Sequence, residues 1–93
     1  MTNYTVVSVK NATLAASTVD AVTLGAGTPT VEVVNYGASP IYFTVDGSVP
    51  TVAGDDCKPV TAYGALRVDT RVTTAPVVKL ICAAAQAYSV SAA

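Results

Sequence analysis

Six carboxylates (Asp20, Glu32, Asp46, Asp55, Asp56, Asp69), five tyrosines and two cysteines are the groups through which this chain could act chemically, because it contains no histidine. Without imidazole, acid–base work near neutral pH falls to carboxylates, Lys or Tyr with displaced pKa values. Asp46, Asp55 and Asp56 bound one loop, so they can converge at one end of a sandwich and offer oxygen ligands to Ca²⁺. Their spacing is not that of an EF-hand, and each has a plainer role as a turn former, Asp46 before Gly47 and Asp55-Asp56 after Gly54. The turn reading is the expected one, with no metal and no cofactor. A glycosidase pair of carboxylates needs a substrate cleft that so small a domain does not supply, so no catalytic residue is assigned. Cys57 and Cys82 have no partner ligands for zinc. A disulfide between them needs Cα atoms within ~7 Å and an oxidising compartment, and with no signal peptide in view free thiols are expected. Sugar binding favours exposed aromatic platforms, and in the absence of Trp only Phe43 and the tyrosines qualify. Tyr42 and Tyr88 lie in strand sequence and belong to a core or interface, whereas Tyr36 and Tyr63 each precede a glycine in a turn and are the ones to watch.

The elements that must position these groups are strands. Tyr4–Val9, Ala21–Leu24, Val31–Asn35, Ile41–Val45, Cys57–Thr61, Leu66–Asp69, Arg71–Thr74, Val77–Ala83 and Ala87–Ser91 are rich in Val, Thr, Tyr and Ile, residues that suit a pleated, half-buried surface. Turn sequences separate them at Gly25–Pro29, Asn35–Gly37, Ser39-Pro40, Ser48–Asp56 and Ala75-Pro76. Ala12–Val19 lacks the i, i+3, i+4 apolar stripe of a helix and reads as extended or irregular. The expected fold is an all-β, antiparallel Ig-like β-sandwich of about seven to nine short strands. It forms a single domain over residues 1–93, with an extended N-terminal segment over 1–20, and its core includes Val33, Phe43, Val45, Val78 and Leu80.

One segment is more specific than the rest. In Ile41-Tyr42-Phe43-Thr44-Val45-Asp46-Gly47-Ser48-Val49-Pro50-Thr51 a period-two strand runs into a turn built by Asp46, Gly47 and Ser48 and stopped by Pro50. Asp bonds backbone N–H in its own turn, Gly accepts positive φ, and Pro cannot donate to a sheet ladder. This segment resembles the Ig-like C-terminal module of chitobiases and β-hexosaminidases, and the same signature in small virion proteins of tailed bacteriophages. The likeness to the phage proteins extends over most of the chain through generic strands such as Val31–Asn35, Val78–Ile81 and Ala87–Val90. The module is non-catalytic in those enzymes. The resemblance implies a head decoration or minor capsid protein, and a module standing alone from Met1 rather than attached to a larger enzyme favours that virion role.

Composition bears on the same choice. Hydrophobic residues make up 52% of the chain and charged ones 12%, against about 25% charged in an ordinary soluble domain. No apolar run reaches the ~18 residues of a membrane span. A surface so poor in charge points to protein contacts. The net charge is −1, and the nearest approach to a basic patch, Arg67 with Arg71, is interrupted by Asp69, so nucleic acid is not an expected partner. The N-terminus has no basic region followed by an apolar one, so the expected route is synthesis in a host cytoplasm and incorporation into a virion. The expectation is therefore a non-enzymatic capsid decoration protein on the outside of a phage head, bound to the major capsid protein as a homo-oligomer. The alternative is a carbohydrate-binding or tail-associated accessory module. Tyr4 and Val6, in a segment able to add a strand to a partner's sheet edge, together with Arg67, Arg71, Tyr36 and Tyr63, are the candidate partner contacts.

Overall fold

The computed structural model describes residues 2–25, 30–55, 57–70 and 75–92. These residues form nine strands and no helix: β1 (Thr2–Thr5), β2 (Val9–Leu14), β3 (Asp20–Thr23), β4 (Thr30–Asn35), β5 (Ile41–Thr44), β6 (Lys58–Val60), β7 (Ala65–Asp69), β8 (Val77–Cys82) and β9 (Gln86–Ala92). Two sheets face each other, one in the order β1-β3-β8-β5-β6 and the other β2-β9-β4-β7. Every pairing is antiparallel except that of β1 with β3, which run parallel. The chain is an Ig-like β-sandwich.

Alternation builds the core. Val31, Val33 and Asn35 of β4 point inward, as do Val78, Leu80 and Cys82 of β8 and Ile41 and Phe43 of β5, while the residues between them face outward. Leu14, Val22, Leu24, Val60, Tyr88 and Val90 complete the apolar interior, and full burial of an aliphatic or Phe side chain is worth roughly 1.5–3 kcal/mol. Of the expected core residues, Val33, Phe43, Val78 and Leu80 are completely buried. Val45 is only partly buried against the cluster, because β5 stops at Thr44 and the chain turns away.

The N-terminal reading needs correction. Tyr4–Val9 is not one strand: β1 ends at Thr5 and β2 begins at Val9. The chain pairs first with β3, crosses between sheets over Val6–Ser8, and then pairs with β9 along Val9–Leu14. Backbone hydrogen bonds pin the crossing: Val6 N–H to Thr23 C=O (2.9 Å), Gly25 N–H to Val7 C=O (3.1 Å) and Ala92 N–H to Ser8 C=O (2.7 Å). Strand β2 escaped the sequence pattern because its inward set is Lys10, Ala12 and Leu14, of which only Leu14 is fully buried. Lys10 reaches the interior edge by laying its ammonium over the Tyr4 ring, 4.2 Å from the centroid. The strand read at Arg71–Thr74 lies outside the described residues.

A single turn design recurs. Thr51-Val52-Ala53-Gly54 and Thr61-Ala62-Tyr63-Gly64 are each closed by the Gly N–H donating to the Thr carbonyl, at 3.0 and 2.9 Å. Their third residues, Ala53 and Tyr63, take φ of 57° and 56°, where Gly or Asn is usual. In both turns the Thr hydroxyl occupies the place that a Cβ on the Gly would need.

Polar bonds also cross the core. Tyr88, 1% exposed on β9, donates its hydroxyl to Asp20 Oδ2 on β3 at 2.9 Å, joining the two sheets. Burial, reinforced by the Asp20 carboxylate, raises the Tyr88 phenol well above its ordinary value. Phe43→Ala should lower stability by about 3–5 kcal/mol, the usual loss for a buried aromatic. Tyr88→Phe should cost about 1–3 kcal/mol although it removes one atom, because buried Asp20 Oδ2 loses this donor. Urea unfolding of the two variants checks both values.

Candidate functional site

The sandwich has two ends of different character. The first is formed by residues 6–8, 24–25, 45–55, 57 and 75–76. The second is formed by 15–19, 36–40, 61–64 and 83–85.

At the first end stands the Asp46 turn. Asp46 Oδ1 accepts the Ser48 hydroxyl (2.6 Å) and the Ser48 backbone N–H (3.0 Å), and these bonds hold its carboxyl below its ordinary pKa. Gly47 has φ of 88°, in the left-handed region, and its carbonyl accepts from Lys79 Nζ at 2.9 Å. The Thr44 hydroxyl donates to Ser48 C=O at 2.6 Å, and Pro50 is buried. Asp46, Gly47, Ser48 and Pro50 thus work as a turn. Asp55 is exposed and Asp56 lies outside the described residues, among which no group of three metal-binding side chains occurs. Two shallow hollows adjoin the turn, one of about 200 Å³ lined by Val45, Asp46, Gly47, Ala75, Pro76 and Val77, the other of about 100 Å³ lined by Phe43, Thr44, Val45, Asp46 and Lys58. Both fall short of the ~300 Å³ at which small-molecule sites begin. Cys57 and Cys82 are free thiols. Val7, Val9, Val49 and Val52, at 83%, 49%, 62% and 41% exposure, are carried at this end.

The second end carries Tyr36 and Tyr63, 56% and 73% exposed. Their loops continue the β4–β7 ladder: Asn35 N–H donates to Gly64 C=O (2.8 Å) and Tyr63 N–H to Gly37 C=O (3.0 Å), so the two tyrosines sit on adjacent backbone. Beneath them is a buried amide pair that the sequence did not disclose. Asn35 Nδ2 donates to Ser39 C=O (2.8 Å), Val60 C=O (3.2 Å) and Thr61 C=O (3.2 Å). Asn35 Oδ1 accepts from Gly37 N–H (3.0 Å) and from Gln86 Nε2 (2.7 Å), which also donates to Ser39 C=O at 2.9 Å. A Cβ at Gly37 would collide with the Gln86 amide, which accounts for the glycine after Tyr36. The only hint in the sequence was a pair of amides, Asn35 and Gln86, each bordering a strand of Val, Ala and Tyr.

The other candidate contacts are dispersed. Tyr4 and Val6 pack against the core cluster rather than standing free. Arg67 lies on the outward face of β7, its Nε 3.4 Å from Glu32 Oε2, in the cross-strand row Val9, Ser91, Glu32, Arg67. The exposed geometry makes that pair a weak one. Arg71 lies outside the described residues.

No family model and no curated protein matches the chain. Solved structures of similar fold include the following three. A carbohydrate-binding module from a sugar cane soil metagenome, complexed with cellopentaose and gadolinium ion, has a TM-score of 0.69 at 11% identity, covering 100% of this chain and 94% of that one. A periplasmic inhibitor of g-type lysozyme from Aeromonas hydrophila has a TM-score of 0.59 at 12% identity, covering 97% and 96%. A de novo designed double-stranded β-helix has a TM-score of 0.63 at 13% identity, covering 89% and 95%.

The Asp46 turn makes a pH prediction. A carboxyl whose pKa is depressed in the folded state contributes stability that is present above its unfolded value and is lost as pH falls through its folded value. The advantage of the native protein over Ser48→Ala should therefore hold at neutral pH and shrink as pH drops through the Asp46 titration, which carboxyl-detected NMR should place below that of an unfolded aspartate. Gly47→Ala should cost about 1–2 kcal/mol from backbone strain alone, since an added Cβ meets nothing within 4 Å.

Proposed function

We propose that this protein is a non-enzymatic binding module of a tailed-phage virion, attached in many copies to the outside of the head through the major capsid protein. The observation that carries the reading is the gathering of exposed aliphatic side chains, Val7, Val9, Val49 and Val52, at one end of a domain that is only 12% charged. Large apolar side chains left in water favour burial against a protein partner. The outward faces of the sheets add little charge of their own, chiefly Glu32, Arg67 and Asp69 on one and Lys79 on the other. The resemblance centred on Ile41–Thr51 supports the virion setting.

A second reading, a carbohydrate-binding or tail-associated accessory module, is favoured by a different observation, the two exposed tyrosines at the opposite end. The likeness of fold to a carbohydrate-binding module complexed with cellopentaose supports it.

Purified protein mixed with capsids that lack it should bind and raise the capsid melting temperature, since a ligand stabilises the state it binds. Val7→Asp combined with Val49→Asp should weaken that binding while leaving the domain's own stability within about 0.5 kcal/mol per site, both positions being exposed. Binding without a rise in melting temperature would reduce the role to display. No binding at all would overturn the capsid reading and leave the second.

A further inference from the structure

We propose that Tyr36 and Tyr63 form a platform for an uncharged saccharide, lying open at the end of the sandwich away from the exposed valines. The proposal rests on the carbohydrate-binding reading and gives it a site and a ligand class. It is compatible with capsid attachment through the other end.

Charge is the first argument. The loops that build this end, 15–19, 36–40, 61–64 and 83–85, contain no Asp, Glu, Lys or Arg. An anionic sugar, a phosphate or a nucleic acid would find no countercharge there. A neutral ligand loses nothing, because no ion has to be stripped of water to receive it.

The second argument is the kind of apolar group on show. The large hydrophobic residues exposed at this end are tyrosines, whereas those at the other end are valines. Tyr offers a flat ring and a hydroxyl at little entropic cost. The electron-rich ring face suits the polarised C–H face of a pyranose, and the hydroxyl suits sugar hydroxyls. Exposed Thr61 and half-buried Ser39 border the pair with further polar groups.

The third argument is conformational. Tyr63 stands at φ 56°, a conformation that costs a bulky residue energy which Gly or Asn would not lose. The same position in the sister turn holds Ala53. With Tyr63 73% exposed, core packing does not explain an aromatic there. The Asn35–Gln86 amides hold both loops from below, so the rings are presented on backbone ordered before any ligand arrives.

Backbone-amide NMR with cellopentaose, chitopentaose and maltopentaose tests the assignment. At least one should shift the Gly37, Ala38, Tyr63 and Gly64 amides saturably. Tyr36→Ala and Tyr63→Ala should each weaken binding on the order of tenfold, and Tyr63→Phe should retain most of it. Tyr63→Gly should weaken binding to the same extent as Tyr63→Ala while raising the melting temperature, because it releases the strained φ. Saturable shifts confined to another face would overturn the platform and leave a carbohydrate-binding module with a different site. No saturable shift with any of the three sugars would overturn the platform and the carbohydrate reading together.

Discussion

The buried amide of Asn35 is the contact on which most of this architecture depends. An amide enclosed among apolar strands must have its hydrogen bonds met internally. Here the partners are backbone carbonyls at Ser39, Val60 and Thr61, the Gly37 N–H and the Gln86 amide. Those partners belong to both sheets and to two loops. Satisfying one side chain thus sets the separation of β4 from β6, the course of the β4–β5 connection and the first residue of β9. Gly37 follows from the same demand, since any larger residue there would displace Gln86. The bond from Tyr88 to Asp20 makes a second tie between the sheets. With these polar links in place the apolar residues have one register in which to interdigitate, which hydrophobic contact alone, being non-directional, does not impose.

A consequence is a division of labour between the ends. The Asp46 turn is closed by local bonds, Asp46 to Ser48 and Thr44 to Ser48, each spanning a few residues, with Lys79 reaching Gly47 from β8. The Tyr36 end is organised by bonds over long sequence separations, from Asn35 to Thr61 and from Gln86 to Asn35. The motif most visible in the sequence is therefore the one that closes a turn, and its carboxylate is already occupied by Ser48. The two most exposed of the large hydrophobic residues, Val7 and Tyr63, are not part of that turn. A conspicuous sequence signature and a binding surface need not coincide, because local turn chemistry is written in adjacent residues and surfaces are not.

The edges of the sandwich illustrate the same point. Pairing β1 parallel to β3 and β2 antiparallel to β9 lets one N-terminal segment serve both sheets. A segment of polar and small residues was legible as extended but not as two strands, because the switch at Val6–Ser8 is held by partners near residues 23, 25 and 92. Lys10, a poor candidate for an inward position, is accommodated there by stacking over Tyr4.

What the sequence determined by itself was whatever depends on neighbours along the chain. Period-two alternation in Val31–Asn35, Ile41–Thr44 and Val77–Cys82 placed the central strands within a residue or two, and Asp46-Gly47 and the Tyr-Gly pairs placed turns. Val33, Phe43, Val78 and Leu80 could be named as core because alternation assigns a face. Tertiary structure alone decided which side of the sheet pairing each edge strand took. It also decided that Val45 falls short of full burial, that Asn35 and Gln86 meet inside, and that Tyr36 and Tyr63 share one uncharged end while the valines share the other. Each of these rests on contacts between residues far apart in the chain. Their free energy comes from burial and hydrogen bonding that exist only once both sheets have formed, so no local pattern in the sequence carries them.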